Sequence, residues 1–163
     1  MKKIAGVIAS AALLAVSASA QSEGFNQSKF YAGGGVSVNS ISGFNGAGSN
    51  NAFGFQGFAG YDFSDSLKIG NAMGLAAEAG FMDSGSFCSF CGSAKGLWLN
   101  AVGSYGITSK VKLINRLGFD FGDSDGVMVG LGGEYDIDKH LAVRGEVVMR
   151  GYKSYQVNAL YRF

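Results

Sequence analysis

From Val127 to Ile137 the residues alternate. Val127, Val129, Leu131, Gly133, Tyr135 and Ile137 make one set, and Met128, Gly130, Gly132, Glu134 and Asp136 make the other. A period of two is that of a strand whose faces meet different surroundings. The same pattern returns along the chain. Leu141, Val143, Gly145, Val147 and Met149 oppose Ala142, Arg144, Glu146, Val148 and Arg150. Leu113, Leu117, Phe119 and Phe121 oppose Lys112, Arg116 and Asp120, with Asn115 an exception on the apolar side. Ile69, Met73, Leu75, Ala77, Ala79 and Phe81 oppose Gly70, Gly74, Glu78 and Gly80. Eight segments carry the alternation: 29–38, 52–63, 68–82, 95–107, 112–121, 127–137, 141–150 and 155–163. No helical stretch separates them, so neighbours should pair antiparallel, up and down.

The connections alternate in length as well. Long stretches at 39–51 and 83–94 flank short turns at 64–66 and 108–111; residues 122–126, 136–140 and 151–155 are brief. Short turns on one rim and longer loops on the other suit an up-and-down barrel in a membrane. Two architectures satisfy the faces. In a soluble sandwich the apolar faces meet and the charges face water. In a membrane barrel the apolar face meets lipid and the polar face lines the interior. Eight strands leave an interior that side chains fill, and inward glycines make room for long charged neighbours.

Composition supports strands. The chain has 27 Gly, 13 Phe, 7 Tyr and no Pro, and that much glycine weakens helices. At the start, Lys2 and Lys3 precede the apolar run Ile4–Val16 and the small residues of "ASA", Ala18–Ala20. This reads as a secretory signal peptide spanning 1–20, with residues 21–163 as a single domain. Removing Lys2 and Lys3 takes the formal charge from +1 to −1, so nothing basic points to nucleic acid. The signal, the even strand count and the aromatic ending favour the barrel over the sandwich.

The residues that carry a family likeness are the signal peptide, "FAGYDF" (Phe58–Phe63), "GLGGEYDIDKHLAVRGEV" (Gly130–Val147) and the terminal "ALYRF". With them the chain resembles the small outer-membrane barrels of the OmpA/OmpX type. The resemblance covers essentially the whole of residues 21–163. It implies an all-β, eight-stranded antiparallel transmembrane barrel in the outer membrane of a Gram-negative bacterium, surrounded by lipid and lipopolysaccharide. A monomer is expected. It also implies that Tyr161 and Phe163 act as the signal read by the barrel-assembly machinery, with periplasmic chaperones escorting the chain. The peptidoglycan-binding domain that follows the barrel in OmpA is not carried over, because the sequence ends at the barrel.

Glu78, Arg116, Asp120, Glu134, Arg144, Glu146, Arg150 and Arg162 share the polar face. They read as a charged gate or as a structural network of paired charges. Arg116, Glu134, Arg144 and Glu146 are expected to pair across adjacent strands. "CSFC", Cys88–Cys91, lacks the strand–helix setting of a redox pair, the His of a haem site and the further ligands of a zinc site. A disulfide is expected there. His140 is the only histidine and reads as a solvated turn residue, although some outer-membrane barrels use His in catalysis. Trp98 falls on the polar parity of its strand; it packs inside, or a bulge turns it into an interfacial belt. No cofactor or metal is expected. The function that follows is structural or surface interaction through the loops 39–51 and 83–94. A narrow, low-conductance channel is the second reading, and an enzyme the third.

Overall fold

A computed structural model describes residues 26–42, 49–64, 73–87 and 92–163. In it the alternation becomes eight strands: β1 Phe30–Ser42, β2 Ser49–Asp62, β3 Met73–Ser86, β4 Ser93–Gly106, β5 Val111–Asp120, β6 Gly126–Asp136, β7 Leu141–Met149 and β8 Lys153–Arg162. Each pairs antiparallel with the next, and β8 returns to β1, so the sheet closes into a barrel. The Phe163 N–H completes the seam by donating to the Phe30 carbonyl at 3.1 Å. Closure leaves no row of unpaired amides, the condition for crossing hydrocarbon with strands. Residues 1–20 and the cysteines Cys88 and Cys91 lie outside the described residues.

Parity decides which way each side chain points. Along β7 every odd-numbered residue from Leu141 to Met149 is exposed and every even-numbered one from Ala142 to Val148 is buried. β5 and β8 keep the same beat. The outward set is large and apolar: Phe53 is 70% exposed, Leu117 60% and Leu131 59%. In water this band would be an aggregation hazard; in a bilayer it is the lipid-facing surface. Asn115 breaks the rule, facing outward and exposed.

The short turns and both ends of the barrel mark one rim, called here the near rim. Aromatic rings girdle it: Phe30 on Tyr61 at 4.8 Å, Tyr61 on Phe63 at 4.7 Å, and Tyr161 on Phe163 at 5.4 Å. Such rings anchor a barrel at a membrane interface. Two turns on this rim are copies of each other. Thr108 Oγ1 accepts from the Val111 N–H at 3.0 Å, and Asp138 Oδ1 accepts from the Leu141 N–H at 2.8 Å. The amides of Ile107 and Ile137 each donate, at 2.9 Å, to the residue four places on. The backbone amides of His140 and Leu141 hold the Asp138 carboxyl below the ordinary carboxylate range.

The strands depart from their sequence-read bounds at the far rim. β1 runs to Ser42 and β2 starts at Ser49, so much of 39–51 is paired strand, Asn39 opposite Ala52 and Ser40 opposite Asn51. β3 continues to Ser86 across a register irregularity between Asp83 and Ser86. There Gly85 adopts φ +72°, open to glycine but costly for other residues. The polar composition of these stretches suggested loop, yet backbone pairing needs no apolar side chain once the strand has left the lipid. About half of each proposed contact loop, 39–51 and 83–94, is therefore hairpin arm. β3 is described from Met73, with Asp62 opposite Ala76; the expected start, residues 68–72, and turn residues 65–66 lie outside the described residues.

The wall is consequently uneven. β1 to β4 hold 13, 14, 14 and 14 residues, whereas β5 to β8 hold 10, 11, 9 and 10. The first half of the barrel rises beyond the second at the far rim. Inside, Phe58, Met82, Trp98, Met128, Val148 and Tyr152 form an apolar plug. Three buried aromatics lie over the glycine directly opposite: Tyr31 over Gly60, Phe58 over Gly33 and Trp98 over Gly80. A Cβ on Gly33 or Gly80 would sit 2.5 Å from the facing ring, so these rings occupy space only glycine leaves.

Candidate functional site

The interior below the plug is a belt of charges. Arg116 lies at its centre, docking Nε and Nη2 on Glu146 at 2.9 and 2.7 Å. Its Nη2 also reaches Glu78 at 3.2 Å. Glu78 in turn accepts from Arg144 Nη1 at 2.5 Å and from the Tyr31 hydroxyl at 2.8 Å. Arg144 turns its Nε and Nη2 to Glu134 at 2.9 and 2.8 Å. Glu134 also pairs with Arg162, whose Nη1 reaches Asp136 at 2.7 Å, and Lys112 closes the chain on Asp136 at 2.9 Å. Glu78, Glu134, Asp136 and Glu146 balance Lys112, Arg116, Arg144 and Arg162. The belt is thus electrically neutral, and bidentate pairing offsets the desolvation of its members.

All eight residues named from the polar parity point inward, in two groups. Six join the belt. Asp120 and Arg150 stand apart near the far rim, joined at 3.2 Å. Pairing across adjacent strands holds for Glu134 on β6 and Arg144 on β7, which are register partners. It fails for Arg116, which bypasses β6 to meet Glu146 on β7. The glycines of β6 are the reason. A Cβ on Gly130 would lie 2.6 Å from Arg116 Cγ, and one on Gly132 would lie 2.6 Å from Glu146 Cγ. Without side chains there, β6 is a gap through which the two long chains touch.

Lys112, Asp136 and Tyr31 join the belt without having been singled out. Lys112 and Asp136 stood on the inward parity of their strands, and that signal could have found them. Tyr31 had no such mark, because it reaches Glu78 on β3 from β1. Trp98 packs inside, 1% exposed, with the Arg116 guanidinium against its ring face at 5.4 Å. His140 packs its ring on Tyr161 at 5.7 Å, and its Nδ1–H donates to the Arg162 carbonyl at 2.8 Å. That contact ties the β6–β7 turn to the last strand.

On the near-rim side the belt borders a cavity of about 190 Å³ lined by Tyr31, Ser104, Lys112, Glu134, Arg144 and Arg162. A 3-10 turn, Gln27–Lys29, stands at its mouth, capped by Asn26 whose side chain accepts from the Ser28 N–H. On the other side amides line the lumen: Gln56 donates to Gln156 and to Asn158, each at 2.7 Å, and Asn39 to the Ser84 carbonyl at 2.8 Å. Plug, amides and belt together occupy the interior, with Gln156 and Asn158 the register partners of Glu146 and Arg144.

Residues 8–163 match the family model described as "Outer membrane protein beta-barrel domain". Among solved structures the chain is similar to Ail, the attachment invasion locus protein of Yersinia pestis, with 17% identity and a TM-score of 0.58, over 82% of this chain and 97% of Ail. It is similar to Neisserial surface protein A at 16% identity and a TM-score of 0.56, over 83% of this chain and 97% of that one. A de novo designed transmembrane β-barrel matches at 15% identity and a TM-score of 0.57, over 83% and 96%. At these identities the likeness is one of fold. No curated protein matches the chain.

Proposed function

The chain belongs to the outer-membrane β-barrel-domain family and resides in the outer membrane, where we propose that it serves surface interaction through its tall far-rim wall. The observation that carries this reading is the filled lumen. Paired charges, amides and an apolar plug occupy the interior, which leaves the outer surface as the place where the protein meets other molecules. The β1–β2 and β3–β4 hairpins rise above the rest of the rim and present that surface. Ail, of similar fold, is named as an attachment and invasion protein and has been seen with the heparin analogue sucrose octasulfate; such a role is proposed here by analogy of shape.

The same reading makes residues 1–20 a cleaved signal, 21–163 the barrel domain, and the lumen network structural rather than catalytic. Tyr161 and Phe163 would serve assembly, with the assembly machinery and chaperones as transient partners and lipopolysaccharide as the outer-leaflet neighbour. The protein works without chemistry of its own in this proposal.

The test is to replace residues 43–48 and 88–91 with Gly-Ser linkers, and to measure binding of intact bacteria to epithelial cells and sulfated glycans. Loss of binding, with heat-modifiable gel mobility intact, supports the reading. Unchanged binding together with discrete single-channel steps of the native barrel in a planar bilayer would replace it with the narrow-channel reading.

A further inference from the structure

Arg116 and Arg144 dock the same guanidinium edge, Nε with Nη2, on a glutamate. Arg150 does not. Its side chain is 1% exposed, yet Nε and Nη2 are both buried with no hydrogen-bond acceptor among the described residues. Its one carboxylate contact is made by the remaining nitrogen, Nη1, to Asp120 Oδ2 at 3.2 Å. An arginine keeps its charge when buried, and this edge matches the paired oxygens of a carboxylate, sulfate or phosphate.

The surroundings repeat the imbalance. Arg150 Nη1 and the Tyr152 hydroxyl both crowd one atom, Met82 Sδ, the hydroxyl at 3.0 Å. A thioether is a weak acceptor, so two strong donors converge where an anionic oxygen would bind far better. A further buried nitrogen of the plug, Trp98 Nε1, is also a donor without an acceptor among the described residues, as is Arg116 Nη1 in the belt. This end of the lumen offers the Arg150 and Tyr152 side chains two acceptors, Asp120 Oδ2 and Met82 Sδ, among the described residues. It lies at the far rim, where Arg150–Tyr152 forms the β7–β8 turn and the Phe87 ring covers Tyr152 at 5.6 Å.

We propose that Arg150 and Tyr152 form an oxyanion-binding site in the outer mouth of the barrel. A sulfate, phosphate or carboxylate group takes the Nε–Nη2 edge and the tyrosine hydroxyl, while Asp120 keeps Nη1. Met82, unbranched and with three rotatable bonds, swings aside to admit it. The group arrives as a free ion or as the acidic substituent of a surface carbohydrate; both offer the same oxygens. This goes beyond the hairpin surface proposed above, since the binding groups, Arg150 and Tyr152, lie in the β7–β8 turn and not at the hairpin tips.

Trp98, the only tryptophan, lies opposite Asp120 in the β4–β5 register and reports on the site. With the full barrel folded in zwitterionic micelles, sodium sulfate, sodium phosphate and a sulfated disaccharide are titrated against sodium chloride at equal ionic strength. A saturable change in Trp98 emission is expected. Arg150→Met should weaken it about tenfold or more, the scale of a lost charge-assisted bidentate contact, and Tyr152→Phe should weaken it less. Arg150→Lys, which keeps the charge and lacks the fork, replaces the methionine variant if that fails to show heat-modifiable mobility. Saturation by the inorganic ions assigns a free ion, and saturation by the disaccharide alone assigns an ester; both support the site. No saturable response to any of the three, or an undiminished one in the Arg150 variants, overturns it. Linker replacement of the hairpin tips leaves the response unchanged, which separates this site from the surface role.

Discussion

Glu146→Ala is the sharpest probe of the lumen. Glu146 holds Arg116 through two hydrogen bonds, at 2.9 and 2.7 Å, and neither side chain has measurable exposure. Truncation leaves the Arg116 guanidinium with Glu78 Oε2 at 3.2 Å as its remaining carboxylate contact. Breaking a buried pair by removing one partner costs about 3–5 kcal/mol, because the surviving charge stays desolvated. The Glu78 contact retains part of the pairing, so the lower half of that range is expected, about 3–4 kcal/mol. Glu146→Gln keeps the shape and one acceptor and should cost less, on the order of 1.5–3 kcal/mol, the worth of a hydrogen bond to a charged group. The double variant Arg116→Met with Glu146→Leu removes both charges from the lumen. It should fall within about 1.5 kcal/mol of the native barrel, as apolar replacements of buried pairs do. The assay is reversible urea unfolding in lipid vesicles, followed by Trp98 emission and by heat-modifiable mobility. A Glu146→Ala barrel within about 1 kcal/mol of the native one would refute a dry, paired belt, since a hydrated lumen re-solvates Arg116 at little cost.

Other outcomes test other levels of the structure. Val147→Arg, one residue along on the lipid face, should cost about 2–4 kcal/mol in bilayers near the midplane; indifference there would mean Val147 does not face hydrocarbon. Gly132→Val places carbon where Glu146 Cγ passes, and should cost about 1–3 kcal/mol by overpacking, measured by the same unfolding assay. Deleting Phe163, or changing it to Ser, should lower the folded fraction in outer-membrane preparations while secretion into the periplasm continues; full assembly of both would remove its role as a signal. Cys88 and Cys91 should be joined in the mature protein, read as a two-hydrogen mass difference between oxidised and reduced samples. The depressed Asp138 carboxyl makes its turn contacts strongest above the unfolded carboxylate pKa and loses them as pH falls through the lower folded value. Amide exchange at His140 should therefore quicken on acidification, and much less so in Asp138→Asn.

How much was written in the chain follows from what is local. Strand parity is a property of one segment, because successive side chains alternate whatever the partner. Val127–Ile137 and Leu141–Arg150 therefore announced their faces, and the inward direction of Glu134, Arg144 and Glu146 followed without a fold. The count of eight and the closure followed from the same beat, together with the need to leave no open edge in lipid. The far-rim ends of β1 and β3 were not legible, because outside the membrane a polar strand and a polar loop have the same composition, and backbone pairing alone separates them. The partners of the charges were not legible either. Whether Arg116 meets a neighbour on β6 or reaches across to β7 depends on where Gly130 and Gly132 fall in the final register, and whether Tyr31 meets Glu78 depends on the curvature that brings β1 over β3. Arg150 shows the division most clearly. Its parity was plain in the sequence, but an unfilled guanidinium edge exists only once every surrounding strand is in place, since it is defined by the acceptors that the closed barrel fails to bring there.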